Sequence, residues 1–226
     1  MNLTLFDLDG TLIQTDSDHA FGEFLVDIGW VDGDAFRRRN DAFYEDYQAA
    51  RLDIGAYIDF ATAPWRHRPE PEALAMRERF MRERMRPGFD ERAKALVRRH
   101  QRAGDRVVIV TATNEFITRP IADAFGVSDL IALELVRDDN GAVTGSVRGV
   151  PSFREGKILR VEQWLARQGL RHADFERITF YSDSTNDLPL LEWATHPVAT
   201  NPGPALAAIA HERGWPVLNL FTKEEP

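Results

Sequence analysis

Cysteine is absent from all 226 residues, which excludes a disulfide framework, a thiolate nucleophile and cysteine-ligated zinc. Any nucleophile is therefore oxygen or nitrogen. Long apolar runs are missing as well: none approaches the roughly 18 residues that cross a bilayer. The N-terminus lacks the basic-then-apolar order of a signal peptide, so the expected location is cytoplasmic, with no membrane partner. Basic excess is lacking too. The 36 Asp and Glu against 28 Lys and Arg give a net charge of -8, a balance that repels nucleic acid and keeps a protein dispersed. No repeat period and no low-complexity tract interrupts the chain. Its length suffices for one large unit with a smaller one inserted, and says nothing of oligomeric state.

What is present has an order. Leu3 to Asp7 is a short apolar run that stops at Asp-Leu-Asp-Gly-Thr, the pattern of a buried strand ending in a polar turn. From about Asp16 to Arg86 no strand pattern occurs. Helical patches such as Phe21/Phe24/Leu25/Ile28 and Phe36/Phe43/Tyr47 are separated by Gly29, Gly33 and Pro64, and predict an inserted helical segment. The charged stretch Arg66 to Arg86 reads as a solvated helix with a Glu78–Arg82 pair and an apolar face of Met76 and Phe80.

After Pro87-Gly88 strands and helices alternate. A helix over Glu91 to Arg102, a β-branched strand over Arg106 to Val110 ending in Thr-Ala-Thr, and a helix over Asn114 to Phe125 come first. The apolar stretch Leu130 to Val136, the turn Asp139-Asn140-Gly141 and Ala142 to Val147 predict a hairpin. Helix Glu155 to Arg167, strand Arg177 to Ser182, helix Asp187 to Trp193, strand Val198 to Thr200, helix Pro204 to Arg213 and strand Val217 to Leu220 follow. This pattern predicts an α/β fold, a parallel sheet flanked by helices.

Ligands of such sheets bind beyond the carboxyl ends of the strands. Three strand ends there are rich in polar groups: Asp7 and Asp9; Thr111, Thr113 and Asn114; and Asp183-Ser184-Thr185-Asn186-Asp187. On an extended chain Asp7 and Asp9 point the same way, and Gly10 lets the backbone turn sharply. Two carboxylates facing one small site repel unless a cation intervenes, and hard oxygen ligands that leave room for water and phosphate suit Mg2+. Asp183 offers a third oxygen. A carboxylate can attack phosphorus, splitting one difficult displacement into two easier ones, and that role is assigned to Asp7. The charge that develops on the phosphoryl group calls for fixed donors: the Thr111 hydroxyl, backbone N–H groups such as that of Ala112, and the Lys157 ammonium. Asp16, Ser17, Asp18 and His19 begin a helix near the mouth of this site, where Asp16 reads either as a substrate contact or as a helix N-cap.

Asp7-Leu-Asp9-Gly-Thr-Leu, strand-terminal Thr111, Lys157 and Ser182-Asp183-Ser-Thr-Asn-Asp187 resemble, in residues and in order, the four motifs of the haloacid dehalogenase superfamily. The resemblance implies a Rossmann-like core over 1–13 and 88–226, with 14–87 as a helical cap of the first type, as in the phosphoserine-phosphatase-like branch. It implies Asp7 as nucleophile and metal ligand, Asp9 as general acid/base and metal ligand through its carbonyl, and Asp183 completing a Mg2+ site. Thr111 and Lys157 would hold the phosphoryl group, with Asn186 and Asp187 supporting Lys157 or the metal's water. Ser182 stands where many members have glycine. Asp16 matches a cap glutamate of phosphoserine-specific members, but no arginine near Ile54 to Phe60 matches the one that grips a substrate carboxylate.

The expected activity is hydrolysis of a small phosphomonoester. The acidic residues at the cap entrance favour an amine-bearing ester, with histidinol phosphate ahead of a phosphorylated amino alcohol and phosphoserine. Two alternatives use the same residues: a phospho-acceptor signalling module and a phosphotransferase. A chain this long, with an insert after the first strand, is unlike a receiver module.

Overall fold

The computed structural model describes residues 1–49 and 51–221. Six strands, β1 (Asn2–Phe6), β2 (Arg106–Asn114), β3 (Asp129–Leu133), β6 (Arg177–Ser182), β7 (His196–Thr200) and β8 (Val217–Leu218), form one sheet. Their order is β3-β2-β1-β6-β7-β8, with neighbours parallel throughout. A parallel sheet is covered on both faces, so its central strands are apolar on both. Alternation sorts the side chains. Leu3 and Leu5 with Val108, Val110, Ile178 and Phe180 pack one face against α7 (Glu155–Arg167), α8 (Leu188–Trp193) and α9 (Pro204–Arg213). Phe6 with Val107, Ile109 and Tyr181 faces the other way, toward α5 (Glu91–Arg102) and α6 (Glu115–Ala124). The architecture is α/β with a Rossmann-like sheet. Strand order reverses beside β1, with β2 and β3 on one side and β6, β7 and β8 on the other, which is where such sheets open a crevice at their carboxyl edge.

Between β1 and α5 the described residues form four α-helices, α1 (Ser17–Asp27), α2 (Gly33–Gln48), α3 (Ile54–Arg66) and α4 (Glu70–Phe80). They do not form an apolar core apart from the sheet, because Phe21, Phe24, Ile58 and Trp65 share one buried cluster with Phe6 and Ile109. The Trp65 ring stacks on Phe116 of α6 at 4.0 Å between centroids. The charged stretch departs from the expected continuous helix. After α4 the backbone widens into a π-type turn at Met81–Met85, and Phe80, Met81 and Met85 are all buried with Met76. The widened turn also changes which charges meet. Glu78 lies 3.5 Å from Arg77 and Arg82 lies 3.1 Å from Glu83, in place of the expected Glu78–Arg82 pair.

The apolar stretch 130–136 serves two sheets. β3 ends at Leu133, and β4 (Leu135–Arg137) instead pairs antiparallel with β5 (Val143–Val147). Glu134 marks the break: its carbonyl accepts the Arg148 N–H at 2.7 Å, and its carboxylate pairs with the guanidinium of Arg160 on α7. β2 likewise runs past Val110 to Asn114, with an irregular register against β3 beyond Val110. A 3-10 turn at Thr185–Asp187 precedes α8, which begins at Leu188, one residue after the expected start at Asp187. Residue 50 of the expected cap and residues 222–226 of the expected core lie outside the described residues. Among the described residues no helix is long and apolar enough to cross a membrane.

Candidate active site

Asp7 follows β1 directly, and its N–H donates to Tyr181 O at 2.9 Å, which keeps it in sheet register at the carboxyl edge. Its side chain is 5% exposed. Lys157 reaches it from the first turn of α7: Nζ donates to Asp7 Oδ1 at 2.8 Å and to Asp187 Oδ2 at 2.7 Å. Position along α7 matters here, because a Cβ on Gly156 would lie 2.0 Å from the Pro151 carbonyl oxygen. Glycine lets the helix start press onto that loop and so aims the next residue inward. Between its two carboxylates Lys157 is held above its usual pKa: burial opposes its charge, but Asp187 and then Asp7 outweigh that.

The three strand ends meet around Asp7. Thr11 bridges two of them, its hydroxyl donating to Asp183 Oδ1 at 2.8 Å with Asp7 Oδ2 at 3.5 Å, while Asp183 N–H donates back to Thr11 Oγ1 at 3.0 Å. Asp9 turns its carboxylate toward the insert and β2. Oδ1 accepts from Ser17 N–H at 2.7 Å and Oδ2 from the Thr113 hydroxyl at 2.8 Å. Thr111 is buried beside Asp7, its hydroxyl accepting the Thr113 N–H at 3.1 Å and its carbonyl accepting from Ser152 Oγ. Ala112 and Thr111 line the same enclosed cavity as Asp7 and Asp9.

Asp16 takes the N-cap position of α1 that was one of its two expected readings, Oδ1 accepting from His19 N–H at 2.8 Å, while it still lines both the enclosed cavity and an outer cleft. Asn186 does not bond Lys157. Its side-chain N–H donates to the Tyr47 carbonyl at 2.9 Å and ties the insert to the sheet.

Burial dominates the electrostatics. It pushes the Asp7 carboxyl up to about 7 against the pull of Lys157, with Asp187 and Asp9 adding to the rise. Asp9 is likewise pushed up to about 7 by burial and by the charge of Asp16, although Ser17 and Thr113 stabilise its carboxylate. Asp183 lies well above its usual range through burial and the nearness of Asp7. Lys157 is thus one positive charge set among Asp7, Asp183 and Asp187. A divalent cation fits this deficit, because the donors are hard oxygens and the backbone leaves space beside them. Gly10, at φ +77°, passes so near Asp183 that a Cβ there would lie 2.2 Å from Oδ2. A cation here could be held by the Asp7 and Asp183 carboxylates and, as the resemblance implies, by the Asp9 carbonyl.

The haloacid dehalogenase-like hydrolase model matches residues 4–192. The chain belongs to that family. It is 44% identical to a histidinol-phosphatase of Neisseria meningitidis serogroup C (strain 8013) across 97% of this chain and 99% of that one, and it is a phosphatase of the haloacid dehalogenase class. A crystal structure of a protein of unknown function from Bordetella pertussis Tohama I superposes with a TM-score of 0.92 at 47% identity, covering 97% of this chain and 99% of the other. A substrate-bound phosphoserine phosphatase superposes with a TM-score of 0.66 at 16% identity over 96% and 91%, a likeness of fold.

Within this haloacid dehalogenase-like site, several residues gave no sign in the sequence of what they do. Ser182, in place of the family's frequent glycine, donates to Asp187 Oδ2 at 2.7 Å and accepts the Ser184 N–H, so it anchors the carboxylate that holds Lys157. Asn201, at φ 49°, donates to Gly10 O at 2.9 Å and Thr11 O at 3.2 Å and accepts from Leu220 N–H, clamping the turn after β1. The only available signal was an Asn before Pro202, a common turn opening.

Proposed function

We propose that this phosphatase is a Mg2+-dependent phosphomonoester hydrolase that works through a phospho-aspartate at Asp7, on a small amine-bearing ester, with histidinol phosphate first. The observation that carries the reading is the Lys157 bridge. A buried carboxylate with one oxygen fixed by an ammonium is oriented for attack from the other, and the same ammonium offsets charge on a phosphoryl group. Asp7 would bond to phosphorus as the ester P–O bond breaks. Asp9, whose carboxyl sits at about 7, carries a proton near neutrality and would give it to the departing alkoxide. The carboxylate left behind then takes a proton from the water that attacks phosphorus, releasing phosphate and restoring Asp7. A Mg2+ held by Asp7, Asp183 and the Asp9 carbonyl would offset the charge that gathers between ester and carboxylates.

Residues 14–87 act in this reading as a cap. The cavity they close over Asp7 has a free volume of about 30 Å³, room for roughly two waters and too little for an ester. An outer cleft of about 410 Å³, lined by Asp9, Asp16, Tyr44 and Asp183, adjoins it and shares Asp9, Asp16, Tyr44 and Tyr47 with it. Substrate entry therefore requires the insert helices to part, and their return excludes bulk water from the first step. Histidinol phosphate leads because a relative of nearly equal length is a histidinol-phosphatase and because Asp16 and Asp18 line the cavity.

Phosphate release from a panel of monoesters, with Mg2+ and with EDTA, tests this on the intact protein and on Asp7→Asn. We expect Mg2+-dependent release led by histidinol phosphate and reduced by at least about 10³-fold in the variant. Release that persists in Asp7→Asn sinks the covalent route. Product analysis in the presence of an added alcohol separates hydrolysis from transfer, and a long-lived phospho-Asp7 would mark a signalling module.

A further inference from the structure

Asp18, in the first turn of α1, is 5% exposed. Its Oδ1 accepts from Asn114 Nδ2 at 3.2 Å and the Tyr57 phenol is a second donor to the carboxylate, while Oδ2 is buried without a well-formed hydrogen bond among the described residues. The residue lines the enclosed cavity above Asp7. Phosphoryl chemistry at Asp7 gives it no task, and a buried carboxylate oxygen that lacks a well-formed hydrogen bond is costly to keep. Asp16 is less available, since an oxygen of its carboxylate already caps α1.

The surroundings say what would satisfy Oδ2. Phe43, Tyr44, Tyr47 and Tyr57 line the same cavity, while among the described residues no lysine or arginine does. Aromatic faces beside a carboxylate recognise a cation. A second carboxylate brought in by a ligand would meet Asp16 and Asp18, with His19 the one basic side chain among the described residues that line the cavity. The pair that holds Asp18 is itself fixed. Asn114 caps α6 through Ile117 N–H, and the Tyr57 phenol is held far above its usual pKa by burial and then by the charge of Asp18. Burial also raises the Asp18 carboxyl well above its usual range, a strain that an incoming ammonium would reverse.

We propose that Asp18 is the specificity-determining residue, accepting the substrate's ammonium against the aromatic wall, so that the site selects amino-alcohol phosphates over amino-acid phosphates and over uncharged esters. This rests on the phosphatase reading above and goes beyond it by assigning the discrimination to one oxygen. The phosphate group is read by Lys157 and the strand ends, the ammonium by Asp18, and the missing arginine leaves a substrate carboxylate without a counter-charge.

The test compares kcat/KM for three esters, histidinol phosphate, its desamino analogue and phosphoserine, in wild type and Asp18→Asn. Asparagine keeps the size of the side chain and can still accept from Asn114. The expected result is a wild-type preference for histidinol phosphate over both others, with the ratio to the desamino ester falling roughly 10- to 100-fold in the variant, the size of one charge-assisted hydrogen bond. Equal losses on both esters, leaving the ratio within about twofold, overturn the assignment while the phosphatase reading stands. A wild type that turns over phosphoserine as well as histidinol phosphate overturns the selectivity. A wild type inactive on all three overturns the phosphatase reading and this proposal with it. Should Asp18→Asn not fold, inhibition of the wild type by free histidinol and by its N-acetylated form decides the matter: at least tenfold weaker inhibition by the acetylated form is expected, and equal inhibition overturns the proposal.

Discussion

The ammonium of Lys157 lies 2.8 Å from Asp7 Oδ1 across 150 residues of chain, and both side chains are all but closed to solvent. Such a pair is costly to break from one side, since the remaining carboxylates keep their buried charge.

Lys157→Met should therefore fail in two measurable ways. Turnover is expected to fall about 10²- to 10³-fold through loss of a donor to the phosphoryl group. Urea unfolding without Mg2+ should show a loss of about 3 to 5 kcal/mol, with part of it regained when Asp7→Asn is added. A variant as stable and active as wild type would remove Lys157 from the site.

The metal-free site should dislike alkaline pH. Asp7 and Asp9 are raised to about 7 from an ordinary value of 3.8, so between those values the folded state binds more protons than the unfolded state. Stability then falls as pH rises through that window. In EDTA the melting temperature of wild type, measured relative to Asp7→Asn/Asp9→Asn, is expected to drop between pH 4.5 and 8. Added Mg2+ should raise the wild-type value more at pH 8 than at pH 5. A relative melting temperature that is flat or climbs across the window contradicts the cause assigned here.

Far from the site, Asp105 carries the opposite sign. Burial alone would raise it, but hydrogen bonds from His100, Asn2 and Thr4 outweigh that and lower it below 3.8. The contacts, 2.6 Å to His100 Nδ1, 3.1 Å to Asn2 Nδ2 and 3.1 Å to Thr4 Oγ1, join β1 to the end of α5. Its stabilisation is full above its unfolded value near 3.8 and is lost as pH falls through the lower folded value. Asp105→Ala should cost about 1 to 3 kcal/mol at pH 7, and the two proteins should converge in acid. A gap that stays constant down to pH 2 would argue against the charge.

Gly10→Ala tests the space beside Asp183. The residue needs φ +77°, and its Cβ would enter the Asp183 carboxylate. The Mg2+ concentration for half-maximal activity is expected to rise more than about tenfold, in line with disturbed support of metal ligands, while circular dichroism shows a folded protein. An unchanged Mg2+ requirement would detach Asp183 from the metal.

Much of this protein follows from local chemistry. β1 is apolar on both faces because it is central, and Asp7, Thr111 and Asp183 were identifiable because a polar residue after such a strand stands at the carboxyl edge. Lys157 was legible only through the order of the motifs, since one lysine near a helix start has no local mark. Other features depended on partners distant in sequence. The stretch 130–136 divides at Glu134 because Arg148 and Arg160 meet it there. Met81 and Met85 leave a charged segment for the core because a widened turn directs them to it. Asp16 and Asp18 are alike as letters in a sequence. Tertiary structure separates them, because a backbone N–H one turn along α1 satisfies the first, while packing of the insert against β2 seals an oxygen of the second into an aromatic cavity without a well-formed hydrogen bond among the described residues.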